Sequence, residues 1–136
     1  MKILYVDDDP LWLGLIKEML REVAGEGSQV VTALTGTQAL SIIERFPLDL
    51  AIVDISLCDM SGYDLIHRAK ELKPELQVAV LTGSRDLSVS AKAKSEGAAY
   101  CLSKPISLDA MRQFIERVRE SIDKSADEHV NSSISA

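Results

Sequence analysis

Acidic, hydroxyl and ammonium side chains follow four of the short apolar segments of this chain. Three aspartates occupy positions 7–9 after the first segment, Asp54 follows the third, Thr82 the fourth and Lys104 the fifth. If these segments are neighbouring parallel strands, the carboxylates converge at one edge of a sheet and repel one another unless a cation binds between them. Oxygen ligands without His or Cys suit Mg²⁺, so the sequence predicts a magnesium site.

Asp9 differs from the two aspartates before it, because it precedes Pro10. Asp followed by Pro is typical of a helix N-cap and the first helical residue. Asp7 and Asp8 cannot both cap the same helix, which leaves them to bind the cation with Asp54. Alone, the two residues would be an ordinary solvated acidic loop, and the predicted convergence with Asp54 is what favours a metal site.

Alternating strand and helix patterns would position these groups. The apolar segments are nearly continuous, as in parallel strands that are covered on both faces, and they lie at residues 3–6, 30–33, 50–53, 78–81 and 100–102. Helical patterns begin at Pro10, after Thr35, at about Gly62, at about Leu87 and after Ser107. The first helix is predicted to bury a stripe that comprises Leu11, Leu15, Ile16, Met19, Leu20 and Val23. The fourth helix is rich in Ala and Ser, so weak anchoring is expected.

Five strands that alternate with five helices predict an α/β fold, a doubly wound five-stranded parallel sheet with helices on both faces. In the flavodoxin-like strand order 2-1-3-4-5, strands one and three are neighbours across the switch point where ligands bind. Residues 1–124 are predicted to form this domain. The small polar residues 125–136 are predicted to form a flexible tail or linker.

Composition restricts the possible partners and the compartment. The chain has 136 residues, which suits one domain, and a net charge of −6, which argues against direct nucleic-acid binding and against anionic membranes. No apolar segment is long enough to predict a membrane span. Cys58 and Cys101 are far apart and match no zinc or disulfide pattern, so reduced thiols and a cytoplasmic location are expected.

Four motifs, in this order, resemble response regulator receiver domains of two-component signalling, the CheY-like family. They are YVDDDP from Tyr5, LAIVDISLCDMSGYDLI from Leu50, VAVLTG from Val78 and EGAAYCLSKPI from Glu96. The resemblance covers about residues 2–124. It implies a phosphorylatable switch that catalyses only its own phosphorylation and dephosphorylation and is not an enzyme acting on an external substrate.

The resemblance also implies roles for single residues. Asp54 would be the phosphoacceptor, Asp8 a direct Mg²⁺ ligand and Asp7 a ligand that acts mainly through water. The backbone carbonyl of Ser56 would complete the protein ligands. A carboxylate nucleophile needs the charge of the incoming phosphate to be neutralised, which Mg²⁺ and an ammonium group can do.

On the other side of the predicted site, Thr82 resembles the hydroxyl that moves to bond the phosphoryl group. Lys104 matches the lysine that pairs with phosphoryl oxygens, and a cis bond to Pro105 is expected. Two positions depart from the family pattern. Cys58 stands where a proline is frequent, and Cys101 occupies the position of the family's aromatic switch residue.

The implied partners are a histidine kinase or histidine phosphotransfer protein as donor. A downstream effector, or a second copy, would bind the surface of the fourth helix, fifth strand and fifth helix. One alternative is a Mg²⁺-dependent phosphohydrolase of the haloacid-dehalogenase kind, whose Asp-x-Asp motif would be Asp7 and Asp9, although 136 residues leave no room for a cap domain. Another is a degenerate receiver that acts as a constitutive binding module.

Overall fold

Five strands alternate with five helices along the chain in a computed structural model that describes residues 1–84 and 86–135, with side chains through residue 125. The strands are β1 (Lys2–Val6), β2 (Gln29–Ala33), β3 (Leu50–Val53), β4 (Gln77–Thr82) and β5 (Tyr100–Ser103). The helices are α1 (Pro10–Ala24), α2 (Gly36–Arg45), α3 (Gly62–Leu72), α4 (Leu87–Glu96) and α5 (Leu108–Ser135).

The strands form one parallel sheet in the order β2-β1-β3-β4-β5, which confirms the predicted fold. β1 lies between β2 and β3, so the chain order reverses at β1. The register pairs Val6 with Val53, and the amide of Asp54 donates to the carbonyl of Val6. The segments that follow β1 and β3 therefore leave the sheet side by side.

Alternate strand residues fill two apolar layers, one on each face of the sheet. Ile3, Tyr5, Ile52 and Leu81 pack with residues of α1 and α5 on one face. Leu4, Val6, Val53 and Val80 pack with residues of α2, α3 and α4 on the other. Burial on both faces explains why the strands read as continuous apolar segments.

The buried stripe of α1 differs from the predicted one. Ile16, Leu20 and Ala24, spaced four residues apart, are buried, whereas Leu11 is 83% exposed and Leu15 is 53% exposed. The predicted buried stripe of α1 was too wide, because the positions of apolar residues in the sequence do not show which side of the helix faces α5. Leu11 and Leu15 lie instead on the solvent side near the start of α1.

The helices that follow β4 and β5 are anchored unequally. α4 buries Ala93 only, as its thin apolar stripe predicted, whereas α5 buries Met111, Phe114, Ile115 and Val118. The backbone of α5 is helical through Ser135, past the predicted domain boundary at residue 124. The helix continues because residues 125–135 contain neither Gly nor Pro to end it. Ala136 and the side chains of the predicted tail after residue 125 lie outside the described part, and the domain boundary stays a prediction.

Candidate functional site

A cleft of about 530 Å³ opens at the carboxyl ends of β1, β3, β4 and β5. The structure brings all six predicted site residues to its wall, and these are Asp7, Asp8, Asp54, Ser56, Thr82 and Lys104. The wall is completed by Asp9, Trp12, Gly83, Ser84 and Pro105. Such a cleft forms because consecutive parallel strands deliver their carboxyl-end residues to one edge of the sheet.

Lys104 connects two strands across this cleft. Its ammonium lies 2.8 Å from Oδ2 of Asp54 and 2.9 Å from Oδ2 of Asp7. The Lys104 backbone amide donates to the carbonyl of Thr82, and a cis peptide bond joins Lys104 to Pro105, as predicted. The ammonium also lies 4.9 Å from the centre of the Trp12 ring. Although burial lowers the pKa of Lys104, hydrogen bonds to both carboxylates outweigh it and raise that pKa.

Asp7 is fully buried and accepts hydrogen bonds on both carboxylate oxygens. Oδ1 accepts from the Asp9 amide at 3.0 Å, and Oδ2 accepts from the Tyr5 hydroxyl at 2.5 Å as well as from Lys104. Burial opposes ionisation of Asp7, but the hydrogen bonds from Tyr5, Lys104 and the Asp9 amide hold its pKa below the ordinary value. These three donors favour the ionised form of Asp7.

Asp54 is 7% exposed and has fewer donors than Asp7. Its Oδ1 accepts from the Ser56 amide at 2.9 Å and its Oδ2 accepts from Lys104. Burial raises the pKa of Asp54 above its ordinary value, and the hydrogen bonds from Lys104 and the Ser56 amide offset only part of this rise. The protein donors therefore compensate the negative charge of Asp54 less completely than that of Asp7.

Asp8 lies at the open side of the cleft and faces the loop that follows β3. The thiol of Cys58 donates to Oδ2 of Asp8 at 2.9 Å. This hydrogen bond and the charge of Asp8 raise the pKa of the exposed Cys58 thiol, which keeps it protonated. Cys58 and Cys101 are both free thiols.

The donor set fits a magnesium ion. Asp7, Asp8 and Asp54 each offer a carboxylate oxygen, and these oxygens lie within 4.8 Å of one another. Three carboxylates and one ammonium carry a formal charge of −2 when all are ionised, which one divalent cation balances. Carboxylate oxygens on an open cleft are the ligands that Mg²⁺ prefers, because it keeps several waters and leaves room for phosphate.

Asp9 does not belong to this donor set. Its Oδ1 accepts from the Leu11 amide at 2.9 Å, and Pro10 is the first residue of α1. The predicted N-cap is confirmed. This use of Asp9 also removes the second carboxylate of the Asp-x-Asp motif on which the phosphohydrolase alternative depends.

Residues 3–116 of this chain match a known protein family, which is described as "Response regulator receiver domain". The chain belongs to this family. The strand order and the five helices are those of the CheY-like flavodoxin fold. Membership makes the chain a phosphorylatable signalling switch of two-component systems, and none of the findings favours the phosphohydrolase alternative.

Relatives of this receiver domain occur in two kinds of signalling protein. The transcriptional regulatory protein GlrR of Escherichia coli K12 is 32% identical over 126 residues, which are 93% of this chain and 28% of GlrR. The sensor histidine kinase RcsC of the same strain is 33% identical over 127 residues, 90% of this chain and 13% of RcsC. The chain thus spans less than a third of either relative.

A solved structure with the same architecture is the CheY-like receiver domain protein from Methanospirillum hungatei JF-1. It is 33% identical, has a TM-score of 0.79, and is matched over 93% of this chain and 97% of that chain. None of the described helices of the present receiver is long and apolar enough to cross a lipid bilayer.

The fifth strand of this receiver has a regular register, which decides the place of its aromatic residue. Val80 pairs with Cys101, and Ala79 pairs with Tyr100. Cys101 packs against the layer under α2, α3 and α4, whereas Tyr100 lies in the other layer, edge to face with Phe114 at 5.3 Å. β5 therefore has no bulge that would move Tyr100 to the position of Cys101.

Sequence reasoning missed two residues that contact the site or its loop. Tyr5 belongs to a predicted strand and opens the first motif, and it stands two positions before Asp7 and therefore on the same face of β1. That spacing could have revealed it. Asp59 reaches from the loop after β3 to the amides of Gly36 and Thr37. No local pattern could have revealed this contact, because its partners are more than 20 residues away.

Proposed function

We propose that Asp54 accepts the phosphoryl group in this receiver. The observation that carries the proposal is the geometry of Lys104, which binds Asp54 at 2.8 Å while Asp7 and Asp8 lie across the same cleft. An oxygen of Asp54 would form the new bond to phosphorus as the bond to the donor's nitrogen or oxygen breaks. Asp54 suits this role because it accepts fewer hydrogen bonds than Asp7 and has a raised pKa.

Lys104 and Thr82 are proposed to stabilise the phosphoryl group once it is attached. The Lys104 ammonium already lies on Oδ2 of Asp54, so a small shift brings it to the new oxygens. Thr82 is 6% exposed and lines the same cleft. Its hydroxyl now accepts from the Ser84 amide at 3.2 Å, and it retains a proton that it can donate to a phosphoryl oxygen.

Mg²⁺ is proposed to bind directly to Asp8 and Asp54 and to the backbone carbonyl of Ser56, with Asp7 acting through water. When bound, the ion offsets negative charge on the transferred group. The assignment of Asp7 to a water-mediated role is supported by its complete burial and by its three protein donors, one more than Asp54 has. Asp8 has its Cys58 contact at the open side and is the more accessible ligand.

Labelling with acetyl phosphate and Mg²⁺ tests the acceptor. The parent should gain the mass of one phosphoryl group, and Asp54→Asn should gain none, because an amide oxygen is a poor nucleophile and carries no charge. Asp123→Asn is the matched control, since Asp123 is exposed on α5 away from the cleft. Labelling of Asp54→Asn to the parent's level would show that another residue is the acceptor.

Calorimetric titration with Mg²⁺ tests the ligand assignment separately. Asp8→Asn should lose Mg²⁺ binding, and Asp7→Asn should weaken it less, because a water-mediated contact loses less charge interaction than a direct one. An Asp8→Asn protein with the affinity of the parent would remove Asp8 from the ligand set. Equal losses in the two variants would mean that Asp7 also binds the ion directly.

A phosphohistidine on a kinase or phosphotransfer protein is the proposed donor, and α4, β5 and α5 are proposed to form the surface that a downstream effector or a second copy recognises. The kind of partner rests on the relatives, which are a transcriptional regulatory protein and a sensor histidine kinase. The choice of surface is supported by the weak anchoring of α4 through Ala93. Two free thiols favour a reducing compartment, and we propose the cytoplasm.

A further inference from the structure

Tyr5 carries a polar group into an apolar layer that does not need one. Its ring is fully buried among residues of α1 and α5, which include Ile16, Leu20 and Phe114. A phenylalanine would fill the same space without a hydroxyl that requires a partner. The hydroxyl donates a 2.5 Å hydrogen bond to Oδ2 of Asp7. The polar end of this core residue therefore belongs to the phosphorylation site.

The hydroxyl of Tyr5 shares its acceptor atom with Lys104. Oδ2 of Asp7 accepts from Tyr5 at 2.5 Å and from Lys104 at 2.9 Å, which uses both of its lone-pair positions. Oδ1 accepts from the Asp9 amide. Asp7 is 0% exposed, so in the present arrangement its Oδ2 depends on these two protein donors.

Phosphorylation of Asp54 would offer new oxygen partners to Lys104. In the present arrangement it divides its ammonium between Asp7 and Asp54. The phosphoryl oxygens extend beyond Asp54, so an ammonium that follows them moves away from Asp7. A buried carboxylate oxygen that loses its only donor is strongly disfavoured, whereas one that keeps a second donor is not.

We propose that Tyr5 is a positioning residue that makes Lys104 available to the phosphoryl group. Its hydroxyl stays on Oδ2 of Asp7 when Lys104 leaves and so lowers the cost of that departure. Tyr5 touches neither the phosphoryl group nor the metal, and it acts through Asp7. This role deepens the proposed function and rests on it.

Tyr5→Phe tests the role, because it keeps the ring and removes only the hydroxyl. Beryllofluoride, a mimic of the phosphoryl group, is titrated at saturating Mg²⁺ and followed by calorimetry. Trp12 fluorescence provides a second reading, since the Lys104 ammonium lies 4.9 Å from its ring and should leave it. Beryllofluoride affinity should fall by about tenfold or more in Tyr5→Phe, since tenfold is near the lower limit for one hydrogen bond to a charged group. Mg²⁺ affinity without beryllofluoride should stay within about twofold of the parent.

Two further variants separate this role from core packing. Tyr100→Phe is the matched control, because Tyr100 lies in the same apolar layer and its hydroxyl makes no hydrogen bond to the described residues. It should bind beryllofluoride as the parent does. In an Asp7→Asn background, Tyr5→Phe should have little further effect, because no buried charge remains for the hydroxyl to stabilise.

Three results would overturn the role of Tyr5. Unchanged beryllofluoride affinity in Tyr5→Phe would make the hydroxyl an ordinary satisfied core group. A tenfold change in Mg²⁺ affinity that accounts for the whole loss would place its effect on the metal. A full effect in the Asp7→Asn background would show that it does not act through Asp7. A parent that binds no beryllofluoride would instead contradict the proposed function itself, and the Tyr5 role would fall with it.

Discussion

The loop after β3 (residues 54–61) and the loop after β4 (residues 83–86) both border the cleft, but different contacts hold them. The β3 loop is tied to another helix through Asp59, whose two carboxylate oxygens accept from the amides of Gly36 and Thr37 and from the Thr37 hydroxyl at 2.7 to 2.9 Å. Met60 lies directly over Gly36. The position of this loop is therefore set by a second element of the fold.

The β4 loop, of which residues 83, 84 and 86 are described, has local contacts. Ser84 donates its amide to Thr82 Oγ1, and Asp86 donates its amide to Ser84 Oγ, each bond joining residues two positions apart. The helix that follows is held by one buried residue, Ala93. Local hydrogen bonds and little apolar burial make rearrangement inexpensive. The side of the cleft that carries the proposed metal ligands is thus fixed by contacts with α2, and the side that carries Thr82 is the part that rearranges more easily.

The largest expected effect comes from comparing two glycines. Gly62 directly follows the β3 loop, and Gly83 lies in the β4 loop. A Cβ at Gly62 would lie 2.5 Å from Ile55 Cα and 2.7 Å from the Asp54 carbonyl oxygen, so the β3 loop would have to shift. Gly62→Ala should lower the free energy of unfolding by about 2 to 3 kcal/mol, measured by urea denaturation. A Cβ at Gly83 meets no atom within 4 Å. Gly83→Ala should therefore stay within about 0.5 kcal/mol of the parent, and equal losses would erase the contrast.

A smaller effect is expected from the side chain that ties the β3 loop to α2. Asp59→Asn removes the charge and one of two acceptor oxygens at the start of α2, so Tm should fall at neutral pH. The Thr37 hydroxyl and the amides of Thr37 and Gly36 hold the pKa of Asp59 at about 2, below its ordinary value. Because the folded-state pKa is depressed, this stabilisation is present above pH 4 or so and is lost as pH falls through about 2.

Thermal unfolding at several pH values measures that loss. The difference in Tm between parent and Asp59→Asn should shrink as the pH falls from about 4 to 2. Asp86→Asn is the matched control, because Asp86 caps α4 through one amide, that of Ser88. Its Tm should fall less. A larger fall for Asp86→Asn would mean that the β4 loop is the more firmly anchored one.

The smallest effect concerns motion on the hydroxyl side. Beryllofluoride with Mg²⁺ should change amide exchange in residues 83–96. Thr82→Ala should reduce this change, because the Thr82 hydroxyl accepts from the Ser84 amide and is proposed to bond the phosphoryl group. Cys101→Ala should leave the response nearly intact, since Cys101 is too small to gate the space beside Thr82. Hydrogen exchange with mass spectrometry measures the segment. A Cys101→Ala protein that binds the mimic without any response would contradict this coupling.

The sequence alone determined the architecture and most of the cleft. Continuous apolar strands, helical periodicity and the caps at Asp9 and Thr35 are local patterns, and each needs only neighbouring residues to be recognised. Parallel strands must deliver their carboxyl-end residues to one edge, so the convergence of Asp7, Asp54 and Lys104 followed from the order of elements.

The tertiary structure decided which side chains hold the site residues in place. Cys58 reaches Asp8 and Asp59 reaches α2 across 22 to 50 positions of sequence. It also decided that Leu11 and Leu15 face solvent, because the buried side of α1 depends on where α5 lies. Such contacts depend on distances between elements that meet only after folding, and local propensity and periodicity carry no information about those distances.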